Sequence, residues 1–317
     1  MNTQEFVDHL ARTPLSKILI FAVVLTVFRI ASVRYIESTP VHRRERVWKI
    51  VKGTGELFDS LVYAAIFIFM VIRPYFFQTF QIPTGSMVPT NLVGDFIGLN
   101  KAIYRYTDPK RGDIVVFRPP VEACNRNQID EDGTVNTDFV KRLIGLPGDL
   151  VEIRQGHVFV NDKPLWEPYR QYTRSLNPGV DTQFQILTGA ERESVPKPNW
   201  KLVRYRDQLV PLNFTEKDAN SSIGPYNVAT KYLIEDPVDQ ANARTLPPER
   251  IPAGFYLFIG DNRNGSFDGR GWGLIQREAI IGRAEFIWLP LSRMGKIGHV
   301  DNGEKPAPDA EIEEVLK

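Results

Sequence analysis

Ser86 lies between Gly85 and Met87 in the stretch Gln81-Ile82-Pro83-Thr84-Gly85-Ser86-Met87-Val88-Pro89-Thr90. The flanking prolines fix φ and reduce the conformations open to the segment. Gly85 lets the backbone turn sharply or come close to a ligand. A serine on such a turn has the exposure a nucleophile needs. The competing reading is a proline-rich linker that follows an apolar helix.

A serine hydroxyl is a weak nucleophile until a base takes its proton. The chain has four histidines, His9, His42, His157 and His299. The first two flank the apolar N-terminal segments, so a Ser-His-Asp triad would have to use His157 or His299. Neither stands in a glycine- or proline-fixed setting, and a strand or surface histidine is the default for both. Lys141 is the second candidate. It sits in Val140-Lys141-Arg142-Leu143-Ile144, an apolar strand pattern that ends in the turn Leu146-Pro147-Gly148-Asp149. A lysine in water has a pKa of about 10.4 and is no base at neutral pH. Burial favours the neutral amine, and lowering the pKa by about two units costs roughly 3 kcal/mol. The pattern also admits a solvent-facing Lys141 beside Arg142. A Ser-x-x-Lys spacing recurs at Ser194-Val195-Pro196-Lys197, but that spacing needs a helix to align the two side chains. Pro196 and Pro198 leave no helix there, and the match reads as coincidence.

The third concentration of chemistry is Gly260-Asp261-Asn262-Arg263-Asn264-Gly265-Ser266-Phe267-Asp268-Gly269-Arg270-Gly271-Trp272-Gly273. Its carboxylates, amides and guanidinium groups can satisfy one another, and Asp268 with Arg270 makes a natural ion pair. A long structural turn is the plain alternative. The density of hydrogen-bonding groups favours a positioned loop.

The elements that must position these residues divide into two parts. Residues 15–33 are mostly apolar, with an uncharged centre from Ile18 to Phe28 and Lys17 and Arg29 able to snorkel from its ends. A cleavable signal peptide is the competing reading; the basic segment that follows, and a second apolar stretch at 57–77, weigh against it. Between the two stretches basic residues outnumber acidic ones, which puts residues 34–56 in the cytoplasm and everything past about residue 78 outside. From Ser86 onward, short β-rich runs at 95–99, 113–117, 150–153, 157–160, 254–259 and 284–289 alternate with Gly-, Pro-, Asp- and Asn-rich turns. Gln155-Gly156 reads as a tight hairpin turn. The expected fold is therefore mainly β. Two N-terminal transmembrane helices precede an all-β extracytoplasmic catalytic domain at 78–160 and 251–302. Residues 161–250, polar and weakly periodic, form an inserted smaller β-rich region. A tail at 1–14 precedes the first span, and a charged, disordered tail follows at 303–317.

Composition excludes several classes. Lys and Arg number 39 against 38 Asp and Glu, so no broad basic surface exists for nucleic acid. A single cysteine, Cys124, rules out an intramolecular disulfide, and isolated Cys and His residues make no zinc cluster. Cys124 reads as a free loop thiol.

In order, behind two apolar segments, these motifs resemble the bacterial type I signal peptidases (leader peptidases). The likeness covers Ile82 to Thr90, Gly94-Asp95-Phe96-Ile97 with Asn100-Lys101, Arg111 to Phe117, Val140-Lys141-Arg142 with Gly145 to Asp149, and the Gly260–Gly273 loop. It implies a Ser/Lys dyad, with Ser86 as nucleophile and Lys141 as general base. It implies an oxyanion hole from the Ser86 N–H and the hydroxyl of Thr84, where the family usually has serine. It further implies that Ser266 hydrogen-bonds the lysine amine, that Asp268 and Arg270 brace it, and that Ile82 and Val140 line shallow pockets for small P1 and P3 residues. Asn264-Gly265 stands where the family commonly has Asp-Asn, and Gly271 where it has an aromatic residue. The implied activity is removal of signal peptides from exported preproteins after Ala-x-Ala-like sites, by acyl-enzyme chemistry without metal or cofactor. The enzyme is expected to be a monomer in the inner (plasma) membrane, with its catalytic domain on the periplasmic side and the lipid bilayer and preproteins as partners. Two rivals stand beside it: an inactive membrane-anchored β module that binds exported chains, and a serine acylase using His157.

Overall fold

Strand β3 shows how the sequence builds the protein. Ile114-Val115-Val116-Phe117 is apolar at every position, and all four side chains are fully buried. A strand covered on both faces needs no alternation. Ile114 and Val116 pack with Ile82, Met87, Ile97 and Leu99, while Val115 and Phe117 pack on the other face with Leu143, Phe258 and Trp272. The Phe117 and Phe258 rings stack with centroids 4.5 Å apart.

The computed structural model describes residues 15–40, 46–67, 76–177, 183–215 and 228–298. It separates into two units, Met1–Thr79 and Phe80–Lys317. In the first, helix α1 (Leu15–Ser38) and helix α2 (Arg46–Phe67) pack together. Phe28 meets Phe58 edge-on at 4.9 Å, and the small residues Ser32 and Gly55 let the two backbones approach. The residues expected as a loop at 34–56 are largely helical, because α1 runs on to Ser38 and α2 begins at Arg46. Lys52 and Glu56 support that extension by pairing one turn apart at 3.9 Å. Among the described residues no helix is long and apolar enough to cross a membrane. Residues 68–75 of the second expected span, the tails at 1–14 and 303–317, and His9, His42 and His299 lie outside the described residues.

The second unit is mainly β. Its strands are β1 (Phe77–Gln81, which begins in the first unit), β2 (Phe96–Asn100), β3 (Ile114–Phe117), β4 (Phe139–Gly145), β5 (Val151–Arg154), β6 (His157–Val160) and β7 (Lys163–Pro164). There follow β8 (Thr173–Ser175), β9 (Phe184–Ile186), β10 (Asn199–Tyr205), β11 (Gln208–Phe214), β12 (Phe255–Ile259), β13 (Ile275–Gln276), β14 (Ile280–Leu289) and β15 (Gly295–Lys296). The large sheet runs β1-β2-β14-β3-β4-β12-β13, with β15 added on β14. The second sheet runs β11-β10-β5-β6-β7, and β8 with β9 forms a separate hairpin. Ile144 and Leu257 from the first sheet and Val151, Ile153, Trp200 and Leu202 from the second share one core.

Residues 161–250 therefore do not stand apart. Strand β10 pairs with β5 through Trp200 opposite Ile153, so the boundary expected at residue 160 runs through a continuous sheet. The β10–β11 hairpin turns at Arg206 and Asp207, both with positive φ (48° and 63°), and Gln155-Gly156 turns the same way between β5 and β6 (48° and 82°). Paired positive φ values match the twist of a two-residue hairpin.

Candidate active site

Ser86 occupies the middle of a one-turn 3-10 helix, Gly85–Met87, and is buried. The turn is fixed from outside its own segment. The Asn262 side-chain amide donates to the Gly85 carbonyl at 2.9 Å, and the Asn262 backbone N–H donates to the Ser86 carbonyl at 3.2 Å. Upstream, Ile82 and residues 94–95 exchange two backbone bonds of 2.8 and 2.9 Å. Gly260 passes so close to the Ser86 carbonyl and the Ser266 side chain that any Cβ there would collide with both.

Lys141 is carried by β4, where it stands opposite Val115 of β3, and is 4% exposed. Its Nζ lies 2.8 Å from Ser86 Oγ and 3.0 Å from the Val140 carbonyl. The Phe139 ring lies 5.3 Å from the amine. Burial is the main cause that pushes the amine down to about 8; Asp268 and Asp261 pull it upward and Arg270 downward. The Thr84 hydroxyl donates to Ser86 Oγ at 3.3 Å.

Asp268 and Arg270 form a buried two-point ion pair, with both N–O distances 2.7 Å, and Asp268 also accepts the Gly260 N–H at 2.9 Å. Burial works to raise the Asp268 pKa. Arg270 and the Gly260 N–H outweigh it and hold the carboxyl below its ordinary range. Ser266 is buried in the same loop, and its hydroxyl helps Arg270 and the Gly260 N–H to hold the Asp268 carboxyl down. The Lys141 amine meets Ser86 and the Val140 carbonyl.

Ile82 and Val140 line one cleft of about 550 Å³ together with Phe80, Thr84, Ser86 and Phe139. Cys124, a free thiol raised by burial, also lies on its wall. His157 takes another course. Its Nδ1 lies 2.8 Å from an Arg170 nitrogen, and burial with neighbouring Arg170 pushes its pKa down to about 4. A histidine facing a guanidinium is poorly placed to collect the proton of Ser86.

Several residues of this framework escape sequence reasoning. Arg142 grips Asp261 with two bonds of 2.8 and 2.7 Å, and its guanidinium lies 3.8 Å from the Tyr169 ring centre. Arg263 pairs with buried Glu167, and the Asn264 side chain exchanges bonds of 2.8 and 2.7 Å with the Thr173 backbone. These contacts bind the Gly260–Gly273 loop to residues 167–173, and they give Asn264 a task. No sequence spacing announces pairs about 90 to 120 residues apart. The only signal was the unusual density of polar groups in the loop.

Comparison with known proteins follows the same lines. A family described as "Signal peptidase, peptidase S26" matches residues 55–289. A signal peptidase I of Leptolyngbya laminosa is 30% identical over 227 residues, covering 72% of this chain and 76% of the relative. Signal peptidase I proteins of Buchnera aphidicola (29% identity, 74% of this chain, 75% of the relative) and Pseudomonas fluorescens (28%, 76% and 74%) are similar. A crystal structure of a signal peptidase I from Enterococcus faecalis V583 aligns at 21% identity over 56% of this chain and 97% of that chain, with a TM-score of 0.28, too loose a fit to bear on the fold. A match that takes in the Ser86 turn, β4 and the Gly260–Gly273 loop makes this chain a member of the signal peptidase family S26, a serine peptidase and hydrolase.

Proposed function

We propose that the chain is a membrane-bound signal peptidase I that cleaves exported preproteins with a Ser86/Lys141 dyad. The observation that carries this reading is the 2.8 Å contact between Ser86 Oγ and a buried Lys141 amine with a pKa near 8. A neutral amine at that distance takes the hydroxyl proton as Ser86 Oγ bonds to the scissile carbonyl carbon. In this reading the Ser86 N–H and the Thr84 hydroxyl, which lies 3.3 Å from Ser86 Oγ, donate to the oxygen that gains charge. The Lys141 ammonium then gives its proton to the leaving amine, which departs as the new N-terminus. Lys141, neutral again, takes a proton from water as that water attacks the acyl carbon; the bond from the acyl carbon to Ser86 Oγ then breaks, the Lys141 ammonium returns its proton to Oγ, and the signal peptide leaves with its new carboxyl group, which ionises in solvent.

The cleft that Ile82 and Val140 line beside Ser86 is the place where small side chains would be selected in this reading. A purified preparation in lipid should cut a precursor once, after an Ala-x-Ala site. Replacing the P1 alanine with leucine should lower kcat/KM by at least about tenfold, the scale of pocket discrimination. Intact precursor, or equal cutting after leucine, would contradict the reading.

The membrane placement draws support from α1 and α2. Ile20, Val23, Val24, Val27 and Ile30 on α1, and Leu57 and Leu61 on α2, are largely exposed. An exposed apolar stripe along each helix suits lipid rather than water. In this reading 15–33 and 57–77 span the bilayer, 34–56 faces the cytoplasm, and the catalytic unit works at the outer surface on substrates held in the same membrane.

A further inference from the structure

Gly85 is packed against an aromatic ring from a distant element. Phe184, the first residue of β9, lies so close to Gly85 that a Cβ there would collide with its ring. The hairpin that carries Phe184 is held firmly. Strand β8 pairs with β9 through Ser175 opposite Phe184, Thr173 is bonded both ways to Asn264, and the Gln171 N–H donates to the Asp261 carbonyl at 2.9 Å. The hairpin and the Gly260–Gly273 loop therefore move together.

The Gly85 carbonyl and the Ser86 N–H belong to one planar peptide unit, so fixing one end aims the other. Asn262 holds the carbonyl end at 2.9 Å, and the Val88 N–H donates to the same oxygen at 3.2 Å. Phe184 closes the Cα side. Resting on the dyad reading above, we propose that Phe184 is a positioning residue that, with Asn262, holds the Gly85–Ser86 peptide so that its N–H meets the developing oxyanion. Phe184 is not among the residues that line the cleft around Ser86, and its ring meets the backbone at Gly85. A side chain at 85 would have to displace the Phe184 ring.

An oxyanion donor contributes about 10²- to 10³-fold to kcat, and a donor that is loosened rather than deleted loses part of that. Phe184→Ala is therefore expected to lower kcat by roughly tenfold or more while KM for a preprotein stays within about twofold. The pH at which activity rises should not move, since Lys141 is untouched. Phe184→Tyr should restore kcat, and the thermal midpoint should change little because the ring is only partly buried. Wild type and Ser86→Ala run alongside: if Ser86→Ala cleaves as wild type does, the dyad reading fails and not merely this inference. If wild type cleaves and Ser86→Ala does not, three outcomes overturn the inference alone. These are an unchanged kcat in Phe184→Ala, a change confined to KM, or a loss that Phe184→Tyr fails to restore.

Discussion

Lys141→Met is expected to lower precursor cleavage by about 10³-fold or more while making the protein more stable at neutral pH. The activity loss follows from removing the amine 2.8 Å from Ser86 Oγ, and Ser86→Ala should be equally inactive because the two act as a unit. The stability gain follows from linkage. The unfolded chain keeps this amine protonated up to its ordinary value of 10.5, whereas burial in the folded chain brings it down to about 8. Between those values the unfolded state binds more protons, so wild-type stability rises with pH. Below about pH 8 the folded state carries the full cost, roughly 3 kcal/mol at about 1.36 kcal/mol per pH unit. Methionine removes that cost and forfeits two hydrogen bonds of about 1 kcal/mol each, leaving a net gain of about 1 kcal/mol at pH 7. The advantage should shrink as pH rises from 8 to 10.5. Denaturant unfolding of wild type and variant at pH 7 and pH 10 measures it. A Lys141→Met protein less stable than wild type at pH 7 would mean that the lysine is held for structure.

The second large effect concerns Arg142 and Asp261. The pair is 1% and 0% exposed, joined at two points, and tied further by the Arg142 bond to the Gly112 carbonyl at 2.9 Å and the Thr90 bond to Asp261 at 2.5 Å. Removing one partner strands a buried charge. Asp261→Ala should therefore destabilise the catalytic unit by about 3–5 kcal/mol, which lowers its melting temperature by on the order of 10 °C. Replacing both partners with apolar residues, as in Arg142→Met with Asp261→Leu, should recover much of that loss. Calorimetry of the single and double variants distinguishes this outcome from simple additivity, which would point to independent roles.

Legibility from sequence followed physical range. The runs that became β2, β3, β5, β6, β12 and β14 are short, apolar and bounded by turn residues, so local chemistry marks them. The β10–β11 hairpin was hidden because Arg206-Asp207 carries no glycine, although both residues take positive φ. Its partner β5 lies about 50 residues earlier, and nothing local names that pairing. Helices α1 and α2 extend past their apolar cores because the basic residues that flank those cores look like loop yet are good helix formers. Ser86 and Lys141 stood out as residues with reactive side chains in stiff or apolar settings. Their supports, Asn262, Arg142 with Asp261, and Phe184, are ordinary residues whose work depends on contacts across the fold.

The central claim is that a neutral Lys141 amine activates Ser86, and the pH dependence of kcat/KM on a preprotein tests it most directly. Because the deprotonated amine is the active form, kcat/KM should rise with pH along one limb centred near 8 and then level off. A limb centred near 6.5, a rise that continues to about 10.5, or a profile flat across this range would contradict it.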